Sequence, residues 1–200
     1  MTLSFLVLVL VSLLGCNKSA PPKDVLAELV QKQHQEHMSI GWIDGQKLEL
    51  LVFGTKPNLR DYTLSAEEAQ RLTTEARKRE KPLQIEGGSD AQRAPDGKWI
   101  TYRTAENKFV LADSAGKVQR TLLAGDKILT ALYWSPNSEY LMYVEKSGKW
   151  DTGCLRYGED GRDLVVYRLR DGQQGRVFQV CQGYPYTRFG WLRVPANLPS

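Results

Sequence analysis

The sequence predicts a mainly β fold built from antiparallel β-meander repeats, with one or two helices near the N-terminus. An internal repeat is the first observation, because the stretch that begins at Pro95 returns at Pro136, 41 positions later. Turn dipeptides between short β-forming runs are the second, and they recur at the spacing of about 8–12 residues that is typical of meanders. The third is composition, since 42% hydrophobic and 25% charged residues in a chain of 200 suit one globular domain.

Residues 1–15 are apolar and uncharged, and this stretch is too short to cross about 30 Å of hydrocarbon as a stable helix. It therefore predicts a cleaved leader. Leu13-Leu14-Gly15-Cys16 resembles the lipobox of bacterial lipoprotein signal peptides. The resemblance implies that Cys16 is lipidated and that residues 16–23 are a polar tether. It places the protein in the cell envelope, anchored in the membrane and facing the periplasm or the exterior. A plain secretory leader and an apolar membrane anchor are the alternatives.

Two more cysteines, Cys154 and Cys181, follow in the exported part of the chain. An oxidising compartment favours a disulfide between them, which we expect to stabilise the fold by about 3–4 kcal/mol. Two buried free thiols are the alternative, and the spacing matches no zinc motif. The net charge of +4 is spread over the chain apart from a basic cluster at residues 77–81. An exported protein with so mild a charge is not expected to bind nucleic acid.

Residues 24–84 are predicted to form an N-terminal segment of helices and strands. An apolar face over residues 25–30 predicts a helix within residues 24–38. Asp44-Gly45 is a turn dipeptide that predicts a hairpin of strands at residues 40–43 and 47–53. A capping-box spacing, Ser65-x-x-Glu68, precedes a run of good helix formers and predicts a second helix over residues 65–80.

Residues 85–200 are predicted to form the β-repeat region. Short runs rich in β-branched and aromatic residues alternate there with Gly, Asp and Asn turns. The predicted strands are residues 99–103, 108–112, 118–123, 130–134, 140–144, 163–169 and 176–181. Gly190-Trp191-Leu192 predicts a last strand that covers a sheet edge.

The two repeat units are Ala94-Pro95-Asp96-Gly97-Lys98-Trp99-Ile100-Thr101-Tyr102 and Trp134-Ser135-Pro136-Asn137-Ser138-Glu139-Tyr140-Leu141-Met142-Tyr143. They resemble the TolB-like, or WD40-like, β-propeller repeat, over about half of the chain. The resemblance implies partial or small propeller blades and a non-enzymatic, protein-binding module. Three arrangements stay open: a small propeller-like stack capped by the N-terminal helices, which we favour, a ring completed by another copy of the chain, and an open sandwich of two meanders.

Catalytic motifs are scarce in this sequence. The histidines number two, His34 and His37, and neither accompanies a nucleophile elbow. Phosphate-binding and dinucleotide-binding glycine loops are absent from the sequence. We therefore predict no catalytic residues, no metal and no cofactor, and we favour a protein that is not an enzyme.

Aromatic and arginine residues, the types enriched in binding hot spots, gather around the predicted disulfide. The candidate binding residues are Trp150, Arg156, Tyr157, Arg162, Tyr184, Tyr186, Arg188 and Trp191. Packing in the last repeat is the alternative role for them. The leading hypothesis is a lipid-anchored envelope protein that binds an envelope protein partner. The second is a small-molecule or glycan binder or hydrolase that uses residues 149–191, with acidic groups from Glu159, Asp160 or Asp163.

Overall fold

A computed structural model describes residues 24–54, 57–79, 83–147, 161–181 and 189–194. These residues form two helices and twelve strands. In chain order they are α1 Val25–Glu36, β1 Met38–Asp44, β2 Lys47–Val52, β3 Asn58–Thr63, α2 Ala66–Arg79, β4 Gly88–Arg93, β5 Trp99–Thr104, β6 Lys108–Asp113, β7 Val118–Ala124, β8 Tyr133–Trp134, β9 Tyr140–Lys146, β10 Gly161–Arg168, β11 Gln174–Cys181 and β12 Gly190–Arg193. The predicted fold class, mainly β with N-terminal helices, is confirmed.

Both helices begin where the sequence predicts. The Asp24 side chain caps α1 by accepting a hydrogen bond from the backbone N–H of Leu26 at 2.9 Å. At α2 the predicted capping box forms, because the Glu68 N–H donates to Ser65 Oγ at 3.2 Å and the Ser65 N–H donates to Glu68 Oε2 at 3.3 Å. Within the described ranges, neither helix is long and apolar enough to span a membrane.

The strands form three four-stranded antiparallel sheets. Sheet 1 has the order β12-β1-β2-β3, sheet 2 the order β4-β5-β6-β7 and sheet 3 the order β11-β10-β9-β8. Sheets 2 and 3 are meanders, in which each strand pairs with the next one along the chain. Sheet 1 has the same form, but its first strand comes from the C-terminal end of the chain, because β12 pairs with β1. This pairing confirms the predicted last strand and ties the two ends of the described chain together.

The internal repeat is confirmed by matching hydrogen bonds in the two turns. In sheet 2 the Ala94 N–H donates to the Trp99 carbonyl and the Gly97 N–H to the Ala94 carbonyl, at 2.8 and 2.9 Å. In sheet 3 the same two bonds join residues 41 positions later, at 2.9 and 3.0 Å. Gly97 and its counterpart Ser138 both have positive φ, +74° and +61°. Each turn therefore reverses the chain in the same way.

Sheet 3 lies in the middle of the stack. One of its faces packs against sheet 1 and α1 around Leu29, Ile40 and Val166. The opposite face packs against sheet 2 around Phe109 and Tyr143. The helix α2 covers the other face of sheet 1. The described chain is therefore a propeller-like stack of three sheets with the N-terminal helices packed on it.

Two strands, β3 and β4, are absent from the sequence-based prediction. β3 is a sheet edge whose side chains are mostly exposed, so its sequence lacks the alternation that marks a half-buried strand. β4 begins at Gly88, contains Asp90 with φ +54° and shows a register shift against β5. Glycine and aspartate are depleted in strands, so a sequence pattern does not indicate one here.

Candidate functional site

A groove of about 440 Å³ lies between one end of sheet 2 and the matching end of sheet 3. Trp99 and Leu111 line its sheet 2 side, and Tyr140 and Leu169 line its sheet 3 side. The volume lies within the range of about 300–1,000 Å³ that is usual for sites that hold small ligands. This groove is the candidate functional site, and we call it the inter-sheet groove.

The internal repeat explains why the groove forms at this end. Trp99 and Tyr140 occupy the same repeat position, the first residue of β5 and of β9. Two hydrogen bonds join the sheets here: Asp96 N–H donates to Ser138 Oγ at 3.1 Å, and the Arg120 guanidinium donates to the Leu169 carbonyl at 2.5 Å. The groove is therefore bounded by the repeated turns.

A buried ionic network fixes the sheet 3 wall of the groove. Glu28 of α1 is only 4% exposed and accepts hydrogen bonds from Tyr140 and Arg168. Arg170 binds both carboxylate oxygens of Glu28, at 3.0 and 2.6 Å. Arg168, which is 2% exposed, also binds Asp171 Oδ2 at 2.7 Å. The helix, the start of β9 and the end of β10 are thus held together by one carboxylate.

The protonation states within this network are set by its hydrogen bonds. Burial opposes ionisation of Glu28, but the hydrogen bonds from Tyr140, Arg170 and Arg168 outweigh it and hold the carboxyl pKa below its ordinary value. Burial and the neighbouring Glu28 charge raise the pKa of the Tyr140 hydroxyl. At neutral pH Glu28 is therefore an anion and Tyr140 a neutral hydrogen-bond donor.

The groove carries one cation without an acidic partner among the residues described. Arg168 and Arg170 are balanced by Glu28 and Asp171, and Glu139 shares Lys32 with Glu36, at 3.0 and 2.5 Å. Arg120 is exposed and binds the carbonyl of Leu169, which is uncharged. The groove thus combines apolar walls with one arginine, Arg120, that has no carboxylate partner among the described residues.

The edge strands β4, β8 and β12, one from each sheet, meet with little space between them. Trp134 Nε1 donates to the Gln92 carbonyl of β4 at 3.2 Å, and Trp191 Nε1 donates to the Tyr133 carbonyl of β8 at 3.1 Å. The cavity beside these tryptophans measures about 40 Å³, which leaves room for little more than water. Trp191, a predicted binding residue, is 3% exposed and packs in the core.

One predicted binding residue, Arg162, lies at the opposite end of sheet 3 from the groove. Arg162 lies there in β10, between Lys146 of β9 and Val180 of β11. The remaining candidates lie outside the described residues, namely Trp150, Arg156, Tyr157, Tyr184, Tyr186 and Arg188. Cys16, Cys154, Glu159 and Asp160 also lie outside them, so the lipidation and the pairing with Cys181 stay predictions.

Two carboxyl groups lie side by side at that same end of sheet 3. Asp163 of β10 pairs in register with Glu145 of β9, is 1% exposed and binds Arg176 Nε through Oδ2 at 2.8 Å. Burial raises the pKa of Asp163, and burial together with the Asp163 charge raises the pKa of Glu145. Ionisation of this pair therefore opposes folding near neutral pH.

We expect Glu145→Gln to raise the melting temperature at pH 7. Because the folded-state pKa of Glu145 is raised, wild-type stability falls as pH rises from the unfolded-state pKa through the folded-state pKa. The amide does not titrate, so this pH dependence of stability is absent from the variant. The melting temperatures of variant and wild type should therefore differ most above the folded-state pKa of Glu145 and least in acid. Thermal unfolding between pH 3 and pH 8 measures the difference, with Glu49→Gln on β2 as the control. A gain that is independent of pH would contradict the assignment.

The two histidines, His34 and His37, lie exposed at the end of α1. His37 is the residue that ends the helix, with φ +52° in the left-handed region. Across the described part of the chain, no group of three or more His, Cys, Asp or Glu side chains is arranged to hold a metal ion.

No family model matches the chain, and no curated protein matches it significantly. A crystal structure of a eukaryotic initiation factor is 19% identical with a TM-score of 0.34, over 75% of this chain and 31% of that one. The crystal structure of oligogalacturonate lyase from Vibrio parahaemolyticus is 12% identical with a TM-score of 0.36, over 72% of this chain and 42% of that one. The chain thus spans less than half the length of either protein. Similarity at this level carries no information about function.

Proposed function

We propose that this chain is a lipid-anchored protein of the cell envelope whose three-sheet module binds another protein through the inter-sheet groove. The observation that carries the proposal is the groove itself, about 440 Å³ with apolar walls and an exposed arginine. Aromatic side chains and arginine are the residue types that contribute most to protein contacts. The resemblance of the repeat units to TolB-like repeats supports the same role.

The position of the groove relative to the tether supports the anchored arrangement. Residues 17–24 join Cys16 to α1 and reach at most about 30 Å when fully extended. Glu28, in the first turn of α1, binds the arginines of the groove wall. A lipid on Cys16 would therefore hold the groove close to the membrane surface, where an envelope partner is within reach.

Site-specific photocrosslinking in cells tests the binding proposal. A photoreactive amino acid replaces Gln119, which is exposed in the groove lining, or Asp61, which is exposed on β3 of sheet 1. We expect one dominant envelope protein to crosslink from position 119 and not from position 61. The same products from both positions, or self-crosslinks alone, would contradict binding at the groove. Self-crosslinks would favour association of two copies of the chain.

Lipidation is tested in the same cells with an alkyne-labelled fatty acid. We expect wild type to be labelled and to sediment with membranes, and Cys16→Ser to lose the label. Labelling that persists in Cys16→Ser would contradict the assignment of the anchor to that residue.

A second candidate function is binding or hydrolysis of a glycan or another small molecule. The Glu145 and Asp163 pair favours it, because glycoside hydrolysis uses two neighbouring carboxyl groups, and a raised pKa suits the one that acts as the acid. A thermal-shift screen with sugars and peptidoglycan fragments tests binding, and release of reducing ends tests hydrolysis. Activity that survives in both Asp163→Asn and Glu145→Gln would exclude these carboxyls as its source.

A further inference from the structure

We propose that the inter-sheet groove recognises a partner segment that presents one large apolar side chain next to a single carboxylate. This inference rests on the proposed function, because it specifies the chemistry of the segment bound at the same groove. It follows from the hydrogen bonding of Arg120, the wall composition and the size of the groove.

Arg120 provides one position at which the groove can bind an anionic group. Glu28 and Asp171 pair with Arg168 and Arg170, and Glu139 shares Lys32 with Glu36. Arg120 projects from β7 and has no carboxylate partner among the described residues. Since one of its nitrogens is taken by the Leu169 carbonyl, its other N–H groups remain to bind an incoming carboxylate.

The apolar walls favour an apolar side chain next to the carboxylate that Arg120 would bind. Trp99 is partly buried and Leu111 is 5% exposed, and both border the groove from sheet 2. A large apolar side chain that enters between them and Leu169 removes apolar surface from water on both partners. The indole face of Trp99 also suits an aromatic ring.

The size of the groove favours a peptide segment over the face of a folded domain. A volume of about 440 Å³ accepts one or two side chains. The rigid wall supports such binding, because a site fixed before binding needs little ordering when the segment arrives. An anionic membrane, by contrast, is attracted by clusters of several cations, and Arg120 is the one groove arginine that lacks a carboxylate partner among the described residues.

Nuclear magnetic resonance with defined peptides tests the inference. The probes are acetyl-Gly-Phe-Asp-Gly-amide, the matched Phe-Asn peptide and the matched Ala-Asp peptide. The readouts are the indole N–H signal of Trp99, assigned with Trp99→Phe, and the Nε–H signal of Arg120. We expect the Phe-Asp peptide to shift both signals. The dissociation constants of the other two peptides should be higher by about ten-fold or more.

Variants of exposed arginines provide the matched control. Arg120→Gln is expected to weaken binding of the Phe-Asp peptide about ten-fold, whereas Arg60→Gln on β3 should leave the dissociation constant unchanged. Arg60 is exposed on β3, the edge strand of sheet 1, whereas the groove is lined by residues of sheets 2 and 3. Melting curves of both variants identify any loss of binding that comes from unfolding.

Three outcomes would overturn the inference. Equal binding of the Phe-Asp and Phe-Asn peptides removes the role of charge, and the absence of shifts at millimolar peptide removes the site. Shifts caused by phosphatidylglycerol vesicles and by none of the peptides would identify the occupant as lipid. If crosslinking from position 119 still captures an envelope protein, the proposed function stands and only this chemistry is wrong.

Discussion

Glu28→Gln is expected to lower the free energy of unfolding by about 3–5 kcal/mol, the loss that follows removal of one partner from a buried ion pair. Glu28 is 4% exposed, and its carboxylate accepts hydrogen bonds from Arg168, Arg170 and Tyr140. An amide keeps the shape of the side chain but leaves the buried Arg168 charge without its partner from α1. The loss is large because a buried cation has no water to replace the missing anion.

Urea unfolding measures this effect, and the same helix offers a control. Glu36 is exposed and binds Lys32 at 2.5 Å, so Glu36→Gln should lower stability by no more than about 1 kcal/mol. If the two variants lose equal stability, α1 is not held by the network. Because the folded-state pKa of Glu28 is lowered, its contribution is present above the unfolded-state pKa and is lost as pH falls through the folded-state pKa. The difference between variant and wild type should therefore shrink in acid.

Trp191→Ala is expected to lower the free energy of unfolding by about 3–5 kcal/mol, as for other large-to-small changes in a core. Trp191 is 3% exposed, lies 6.2 Å from the Tyr140 ring between centroids, and bonds to the Tyr133 carbonyl. It belongs to β12, the C-terminal strand that completes sheet 1. Its removal opens a cavity where sheets 1 and 3 meet and weakens the closure of the stack.

Calorimetry or urea unfolding measures the effect, and Trp191→Phe separates packing from hydrogen bonding. The phenyl ring keeps most of the buried surface, so this variant should lose about 0.5–1.5 kcal/mol, the net contribution of one hydrogen bond. Val118→Ala is the exposed control, because Val118 is 46% exposed and should change stability by less than about 0.5 kcal/mol. A Trp191→Ala variant as stable as Val118→Ala would show that the C-terminal strand does not support the stack.

The candidate site was less predictable from sequence than the fold. Residue composition favours the aromatic residues near the predicted disulfide, and it does not point to Trp99, Arg120 or Arg170. The repeat contained a usable signal, because Trp99 and Tyr140 share a repeat position and line the same groove. Arg120 has no such signal, since its importance depends on which charges are already paired around it.

Local chemistry determined much of this protein from the sequence alone. Several local features depend on residues only a few positions apart, namely the Asp24 cap, the Ser65 capping box, the hairpin turn at Gly45 and the two repeat turns. Such short-range interactions produce patterns that can be recognised in the sequence. The strands β5, β6 and β9 are likewise visible in the sequence, because each contains a continuous buried run that is rich in β-branched, aromatic and other apolar residues.

Only the tertiary structure decided how these parts combine. Glu28 meets Arg168 across 140 positions, and β12 joins β1 from the other end of the chain. Contacts at such separations have no fixed spacing, so no pattern in the sequence marks them. The order of the sheets, and with it the groove between sheets 2 and 3, is set by which faces bury the most apolar surface together, a property of the assembled core rather than of any one segment.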